Sequence, residues 1–240
     1  MYNLLIALAI ATVIFVLGWS FTGTTIAGFI PASLALVITY VLMARRVGKK
    51  FQAIATKAAK EFENNRMDNG VRLLESGFSL SNWQFFIGPQ IHGQLGMIAY
   101  MQRDWKKART HLSQAWKRDW RSRSMLAALH HRQGKRDDAL ELMNKLTSFG
   151  GKDPTFWGLY AYIALEAKQR DKALSILNDG LKKCPESPGL KTMANAIRNK
   201  KKPKMKAFAP AWYQYFPEQM PRSAMMAHAQ RNMRFPQPKR

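Results

Sequence analysis

The first 44 residues of this chain contain no Lys, Arg, Asp, Glu or His. The 196 residues that follow carry all 38 basic and all 15 acidic side chains, and with them the net charge of +23. Lipid and water select for opposite side chains, so a chain that changes character this abruptly at Arg45 is built for two solvents. Two apolar runs lie inside the uncharged segment, Leu4 to Trp19 and Ile26 to Ala44, joined by a short polar link at Ser20 to Thr25. A span of the ~30 Å hydrocarbon core takes roughly 20 helical residues. The second run is long enough, and the first reaches that length if it extends to Tyr2 and Thr22. In lipid every backbone group must be bonded internally, so each run is expected to be a helix, and so short a link permits only an antiparallel hairpin.

Residues flanking the runs orient the hairpin. Trp19, Phe21 and Tyr40 lie near its ends, where amphipathic rings favour the interface. Pro31 falls early in the second helix, where its missing N–H costs little. Arg45, Arg46, Lys49 and Lys50 follow the second run directly and are the candidate contacts for anionic lipid headgroups. Positive charge beside a span marks the cytoplasmic side, so both termini are expected in the cytoplasm. A cleaved signal peptide would carry a basic n-region, which residues 2–18 lack, and no clear small-residue cleavage site follows. A pair of buried helices in a water-soluble core is the other alternative, and a wholly uncharged stretch of this length speaks against it.

Residues 51–199 alternate helix-like stretches with short breaks and are self-similar at about 34 residues. Small residues recur at Gly70, Ala108, Ala139 and Ala173. Leu74, Leu112, Met143 and Leu177 follow four positions later, and Gly77, Ala115, Leu146 and Gly180 three positions after those. Spacing of i, i+4, i+7 places each set on one helix face. Leu95-Gly96, Leu126-Ala127 and Tyr160-Ala161 each precede one of the recurring alanines by the same interval, with polar turns between. This pattern resembles the tetratricopeptide repeat, a helix–turn–helix unit of about 34 residues. The fullest match is Pro154 to Pro185, with Trp157, Tyr160, Ala161, Ala173, Leu177 and Pro185 at the family positions. The Pro89 to Trp120 unit matches at fewer positions, the 124–150 unit is shorter, and the 51–80 unit has Gly70 where the family prefers Ala.

The resulting expectation is all-α. Two transmembrane helices (1–44) are followed by a basic juxtamembrane segment (45–50), a repeat solenoid of about three to four helix pairs (51–199) and an irregular basic tail (200–240). Ser187 to Asn199 reads as a helix that covers the last pair. The layout also resembles bacterial inner-membrane proteins with a two-span hairpin and a tetratricopeptide domain, of which one family is associated with haem biosynthesis. No motif specific to that family is shared, and its function is not carried over.

The remaining signals concern partners. Residues 45–199 hold 28 basic and 14 acidic side chains, and the tail holds 10 basic ones against Glu218 alone. Such a field attracts anionic lipid, nucleic acid or acidic protein. Trp105, Trp116 and Trp120 stand among basic residues, as in some nucleic-acid platforms. Packing within and between repeat units is the favoured reading of these rings. Phe208, Trp212, Tyr213, Tyr215 and Phe216 crowd the tail among prolines, which argues for a segment that docks on the repeat, on lipid or on a partner. The resemblance implies that partner-facing side chains come from the first helix of each pair. Gln94, Met97, Met101, Arg123, Leu129, Trp157 and Tyr162 are the candidates, with Trp212, Tyr213, Tyr215 and Phe216 from the tail.

Chemistry is sparse. Cys184 is the sole cysteine, which excludes an intrachain disulfide or a thiolate cluster. His130 and His131 are adjacent and point apart on a helix. No phosphate-binding, nucleophile-elbow or zinc-protease motif occurs. The chain is therefore expected to have no catalytic residues, cofactor or metal, and to act as a membrane-anchored scaffold that recruits a protein partner at the cytoplasmic face, in a bacterial inner membrane. A membrane-tethered RNA- or ribosome-binding protein and an accessory subunit of a larger membrane enzyme are the alternatives. Nothing in the sequence fixes an oligomeric state.

Overall fold

The computed structural model describes residues 1–221. The tail beyond Pro221, which the sequence reads as loosely ordered and which includes His228, lies outside the described residues. The fold is all-α, with no strand among the described residues. The chain forms two compact units, Met1–Ile91 and His92–Arg240.

The first unit begins with α1 (Tyr2–Thr22) and α2 (Thr25–Glu63). α1 stops at Gly23, whose φ of 69° places it in the left-handed region that glycine enters without penalty. Both helices are long and apolar enough to cross a membrane. They meet along a seam of small residues. Ala7 is fully enclosed, and Ala11, Gly28 and Ala32 are buried in the same interface. A Cβ on Gly18 would stand 2.7 Å from the Gly28 Cα, so these two glycines set how closely the helices approach. Large apolar side chains point outward instead: Leu5, Phe29 and Leu34 are all more than half exposed.

α2 does not end where its charge begins. It runs on for 39 residues in all and then turns back into α3 (Met67–Ser76). In its charged half Val47, Phe51 and Ala58 recur at i, i+4, i+11 and are buried. Gly70 of α3 lies so close to Phe62 that an added Cβ would fall 2.2 Å from the ring. That contact explains why this pair departs from the alanine of the repeat pattern.

In the second unit α4 (Ile87–Met101), which straddles the unit boundary, pairs with α5 (Trp105–Gln114). Next come α6 (Trp120–Arg132) with α7 (Arg136–Lys145), the short α8 (Thr147–Gly150), and α9 (Pro154–Glu166) with α10 (Arg170–Lys183). α11 (Pro188–Arg198) packs on both α9 and α10. The recurring residues of the sequence occupy the core as their spacing requires. Ala108, Ala139 and Ala173 are fully buried, and so are Leu112, Met143 and Leu177. Asp104, Asp119, Asp153 and Ser187 cap the N-termini of α5, α6, α9 and α11 by accepting backbone N–H bonds.

One turn is used throughout. Asn65, Arg103, Gly134, Lys168 and Lys200 all have positive φ and recur once per helix pair. At each, the next residue donates across the turn: Arg66 to the Glu61 carbonyl, Asp104 to Ala99, Lys135 to His130, Gln169 to Ala164 and Lys201 to Ala196, all at 2.8–3.0 Å. The left-handed residue itself donates to Phe62, Tyr100, His131, Leu165 or Ile197. This pair of bonds is the Schellman motif, which satisfies the last carbonyls of the helix. The left-handed conformation costs a residue with a Cβ about 1–2 kcal/mol. Lys168→Gly is therefore expected to stabilise the protein by about 0.5–1 kcal/mol. Gly134→Ala, whose Cβ would meet nothing within 4 Å, should destabilise it by about 1 kcal/mol through the backbone alone. Urea unfolding of the full chain in detergent, followed by far-UV circular dichroism, reads both signs.

Candidate interaction surface

The first helices of successive pairs, α4, α6 and α9, together with α11, present a shared face. The chain's own tail lies across it. After Lys200 the tail forms a 3-10 turn at Met205–Phe208, the short α12 (Trp212–Tyr215) and a second 3-10 turn at Pro217–Gln219. Phe208, Trp212, Tyr215 and Phe216 are each at most 6% exposed. The rings that make the tail unlike a disordered linker are thus enclosed by the repeat.

Each ring has a shaped seat. Phe208 enters a slot between Gly158 of α9 and Gly189 of α11, where a Cβ on either would stand 2.8–2.9 Å from the ring. Trp212 stacks edge-on against Tyr162, with centroids 5.1 Å apart, and lies 4.9 Å from Phe216. Its indole N–H donates to the Gln219 side chain at 2.8 Å. These geometries add about 0.5–1.5 kcal/mol per aromatic pair beyond burial.

Arg132, the last residue of α6, is the polar centre. Its guanidinium donates to both Glu218 carboxylate oxygens at 2.8 and 2.7 Å, to the Tyr215 carbonyl at 3.0 Å and to the Tyr100 hydroxyl at 3.1 Å. It also lies 4.8 Å over the Trp105 ring and 5.2 Å over Phe216. Tyr100 donates to the same Tyr215 carbonyl at 2.7 Å. Burial pushes the Tyr100 phenol up to about 12, against the pull of Arg132. Burial likewise raises Tyr215. Burial opposes the charge on Arg132, but Glu218 and Tyr100 outweigh it and hold the guanidinium above its ordinary value. Both phenols stay neutral at neutral pH, and one arginine ties down the Tyr215–Glu218 stretch of the tail.

The sequence-selected residues fall into distinct places. Met101 is 46% exposed, and Gln94, Met97 and Tyr162 are half-buried on α4 and α9. Arg123 turns to α5 and donates to the Leu112 and Ser113 carbonyls. Leu129 is in the core, and Trp157 packs on Gly180 while its indole N–H donates to the Gly151 carbonyl. Tyr213 is buried with the other tail rings. Trp105 packs edge-on to Tyr100, and Trp120 edge-on to Phe156 of the next pair. Those rings serve packing, as their positions in the repeat imply. Arg45, Arg46, Lys49 and Lys50 lie on the continuous α2, directly beyond its uncharged half. Tyr100 and Arg132 are not singled out by the sequence, and His131 is noted there only as pointing away from His130. Glu218, the single acid of a basic tail, is the one signal there that an arginine awaits it.

Two further features border this face. A cavity of about 370 Å³ separates α9 from the tail, lined by Tyr162, Glu166, Lys202, Lys206 and Tyr213 among others. His131 contacts the rings of Tyr162 and Phe216. Burial lowers its pKa, with Arg136 and Arg132 adding to the effect and Glu166 opposing it. Burial also lowers His130 and His92, and the His92 and His111 Nδ1 atoms are 3.0 Å apart. Among the described residues no cluster of three or more His, Cys, Asp or Glu side chains is placed to hold a metal.

Comparison with known proteins places the fold. The solved structure of a MamA RS-1 ArsTM double mutant matches with a TM-score of 0.51 at 13% identity, covering 70% of this chain and 93% of that one. MamA contains tetratricopeptide repeats, and the fold defined by these helix pairs is a helical repeat of that type. No protein-family model and no curated protein matches the chain, so neither comparison supports the haem-biosynthesis family whose layout it resembles.

The tail's seat sets the expected behaviour of its variants. Glu218→Gln should weaken docking by about 1 kcal/mol, because the carboxylate is partly solvated. Arg132→Ala removes the hydrogen bonds and ring contacts together, and should weaken docking by about 2–3 kcal/mol. Chymotryptic cleavage at Phe208 to Phe216 reads this, with a rise of more than tenfold expected for Arg132→Ala. The histidines set a pH dependence. Their folded pKa values lie below the ordinary 6.5, so below that pH the unfolded chain binds more protons. Their contribution is whole above pH 6.5 and is lost as pH falls through the lowered values. The midpoint of thermal unfolding should drop between pH 7 and 5, and His131→Phe should flatten part of that slope.

Proposed function

We propose that this protein is a membrane-anchored repeat scaffold that recruits or organises a protein partner at the cytoplasmic face of a membrane. The supporting observation is α2, a single helix that begins in the uncharged apolar segment and ends as the first helix of a helix pair. Such an element carries a repeat-type pair on a lipid span without a flexible joint. The basic residues at Arg45, Arg46, Lys49 and Lys50 support a cytoplasmic orientation for the charged part and an anionic-lipid contact worth about 1 kcal/mol each. A bacterial inner membrane fits this reading.

The partner surface is the composite of repeat and tail. Met101, Gln94, Met97 and Tyr162 offer side-chain area on the first helices, and the docked Trp212, Tyr213, Tyr215 and Phe216 give that face its shape. Leu129, Trp157 and Arg123 support it from beneath. This division assigns no catalytic role to the chain. Trp105 and Trp120 are half-buried and packed edge-on against Tyr100 and Phe156, which does not favour a nucleic-acid stacking platform, since that needs open rings.

Site-specific photo-crosslinking in cells tests the reading. A photoreactive residue at Met101 or Gln94 should yield a discrete crosslink to one protein, while one at Lys191, an exposed residue of α11, should not. The crosslink should survive ribonuclease and high salt, conditions that remove or steeply weaken nucleic-acid association. Loss of the product on ribonuclease treatment, or equal products at all positions, would contradict the proposal. A C-terminal reporter active only outside the cytoplasm would contradict the orientation.

A further inference from the structure

After Ala44, the longest stretch without Lys, Arg, Asp, Glu or His is Ser76 to Ile91 (SGFSLSNWQFFIGPQI), set in an otherwise charged part of the chain. It is too short and too polar to span a bilayer. Its middle is a 3-10 turn, Gly77–Leu80, and a loop that leads into α4. Within the first unit this loop returns to the start of α1. The Tyr2 N–H donates to the Asn82 carbonyl at 3.0 Å, and the Tyr2 ring meets the Trp83 ring edge-on at 5.3 Å.

That contact fixes the loop's height against the hairpin. The Gly18–Gly28 approach sets the antiparallel register of α1 and α2, and counting back to Tyr2 along both helices brings it level with Ala44 and Arg45. Tyr2 therefore stands where the uncharged segment ends and the arginines and lysines begin. Trp83 is 38% exposed and Phe85 45% exposed, while Asn82 is also open to the surroundings. Half-open Trp and Phe rings beside amide and hydroxyl side chains, with no charge among them, are the chemistry of the zone between headgroups and acyl chains.

We propose that the 81–86 loop is a third membrane contact. Trp83 and Phe85 rest in the interfacial layer beside Tyr2, at the level where Arg45, Arg46, Lys49 and Lys50 meet the headgroups. The occupant is the bilayer surface that the hairpin itself enters, so the inference rests on the membrane reading of α1 and α2. The loop and the hairpin then hold the root of α2 from two sides and limit its tilt.

Spin-label depth measurement in reconstituted vesicles tests it on the full chain. Cys184→Ser removes the native thiol, and single labels are placed through Asn82→Cys, Phe85→Cys, Leu34→Cys in the span and Lys191→Cys in the repeat. The Asn82 label leaves the Tyr2 bond intact, since that bond uses the backbone carbonyl. The ratio of oxygen to nickel-complex accessibility at positions 82 and 85 is expected about threefold or more above that at 191, for an immersion of roughly 5–10 Å. Position 34 should read deeper still. If position 34 lies in hydrocarbon while 82 and 85 match 191, the loop proposal is overturned and the hairpin stands. If position 34 is as aqueous as 191, the membrane reading and the loop proposal fall together.

Discussion

The backbone hydrogen-bond ladder of α2 is what the rest of the first unit depends on. A helix that satisfies its own backbone needs nothing from its surroundings, so it can pass from apolar to charged sequence without a change of conformation. Pro31 lies inside α2 rather than in its first turn, so the ladder lacks the bond to the Ala27 carbonyl, but that gap falls well before Arg45. Only the side chains change. In the uncharged half the buried face is a seam of Gly and Ala that lets the two backbones approach closely, while large apolar side chains such as Leu5, Phe29 and Leu34 face outward. In the charged half the buried face is Val47, Phe51 and Ala58, as amphipathic packing in water requires. One helix thus obeys two packing rules in succession, and the switch comes where the first arginine stands.

The helix pairs are governed by a repeated turn rather than a repeated loop sequence. Asn65, Arg103, Gly134, Lys168 and Lys200 share one conformation although only one is glycine. The cost at the other four is small beside the core that the turn closes, where Ala108, Leu112 and their equivalents are fully enclosed. A solenoid of this kind adds neighbour interfaces one at a time, so a modest strain repeated in each turn is offset locally.

Legibility follows the range of the interactions. The two apolar helices, the helix pairs and the buried register of Ala139 and Met143 are readable in the sequence, because each rests on spacing within one helix. The glycine at position 70 is visible as a departure, but its cause, the Phe62 ring from the preceding helix, is not. The tail's rings are recognisable as a segment that docks, since aromatics crowded this closely rarely stay in water. Their seat is not readable. It depends on Gly158 and Gly189, which lie far apart in the sequence and meet only when α9 and α11 pack. Arg132 is hidden among many basic residues, and only the folded chain separates the one that faces Glu218 from those that face solvent.

The turn at Lys200 explains why a tail occupies this face at all. α11 ends in the same Schellman geometry that, in each earlier pair, delivers the chain to a second helix. Here the residues that follow are Lys201, Lys202, Pro203 and Lys204, which offer no apolar stripe to lay on α11. A second helix in that position would have nothing to bury. The apolar residues come later, from Phe208 onward, and are spaced among prolines that forbid a long helix. The chain therefore crosses to the opposite face, where Gly158, Gly189 and Tyr162 leave room for rings. There the one acid of the tail finds the one arginine already surrounded by aromatic side chains. The repeat is closed by a strap of rings rather than by a final helix.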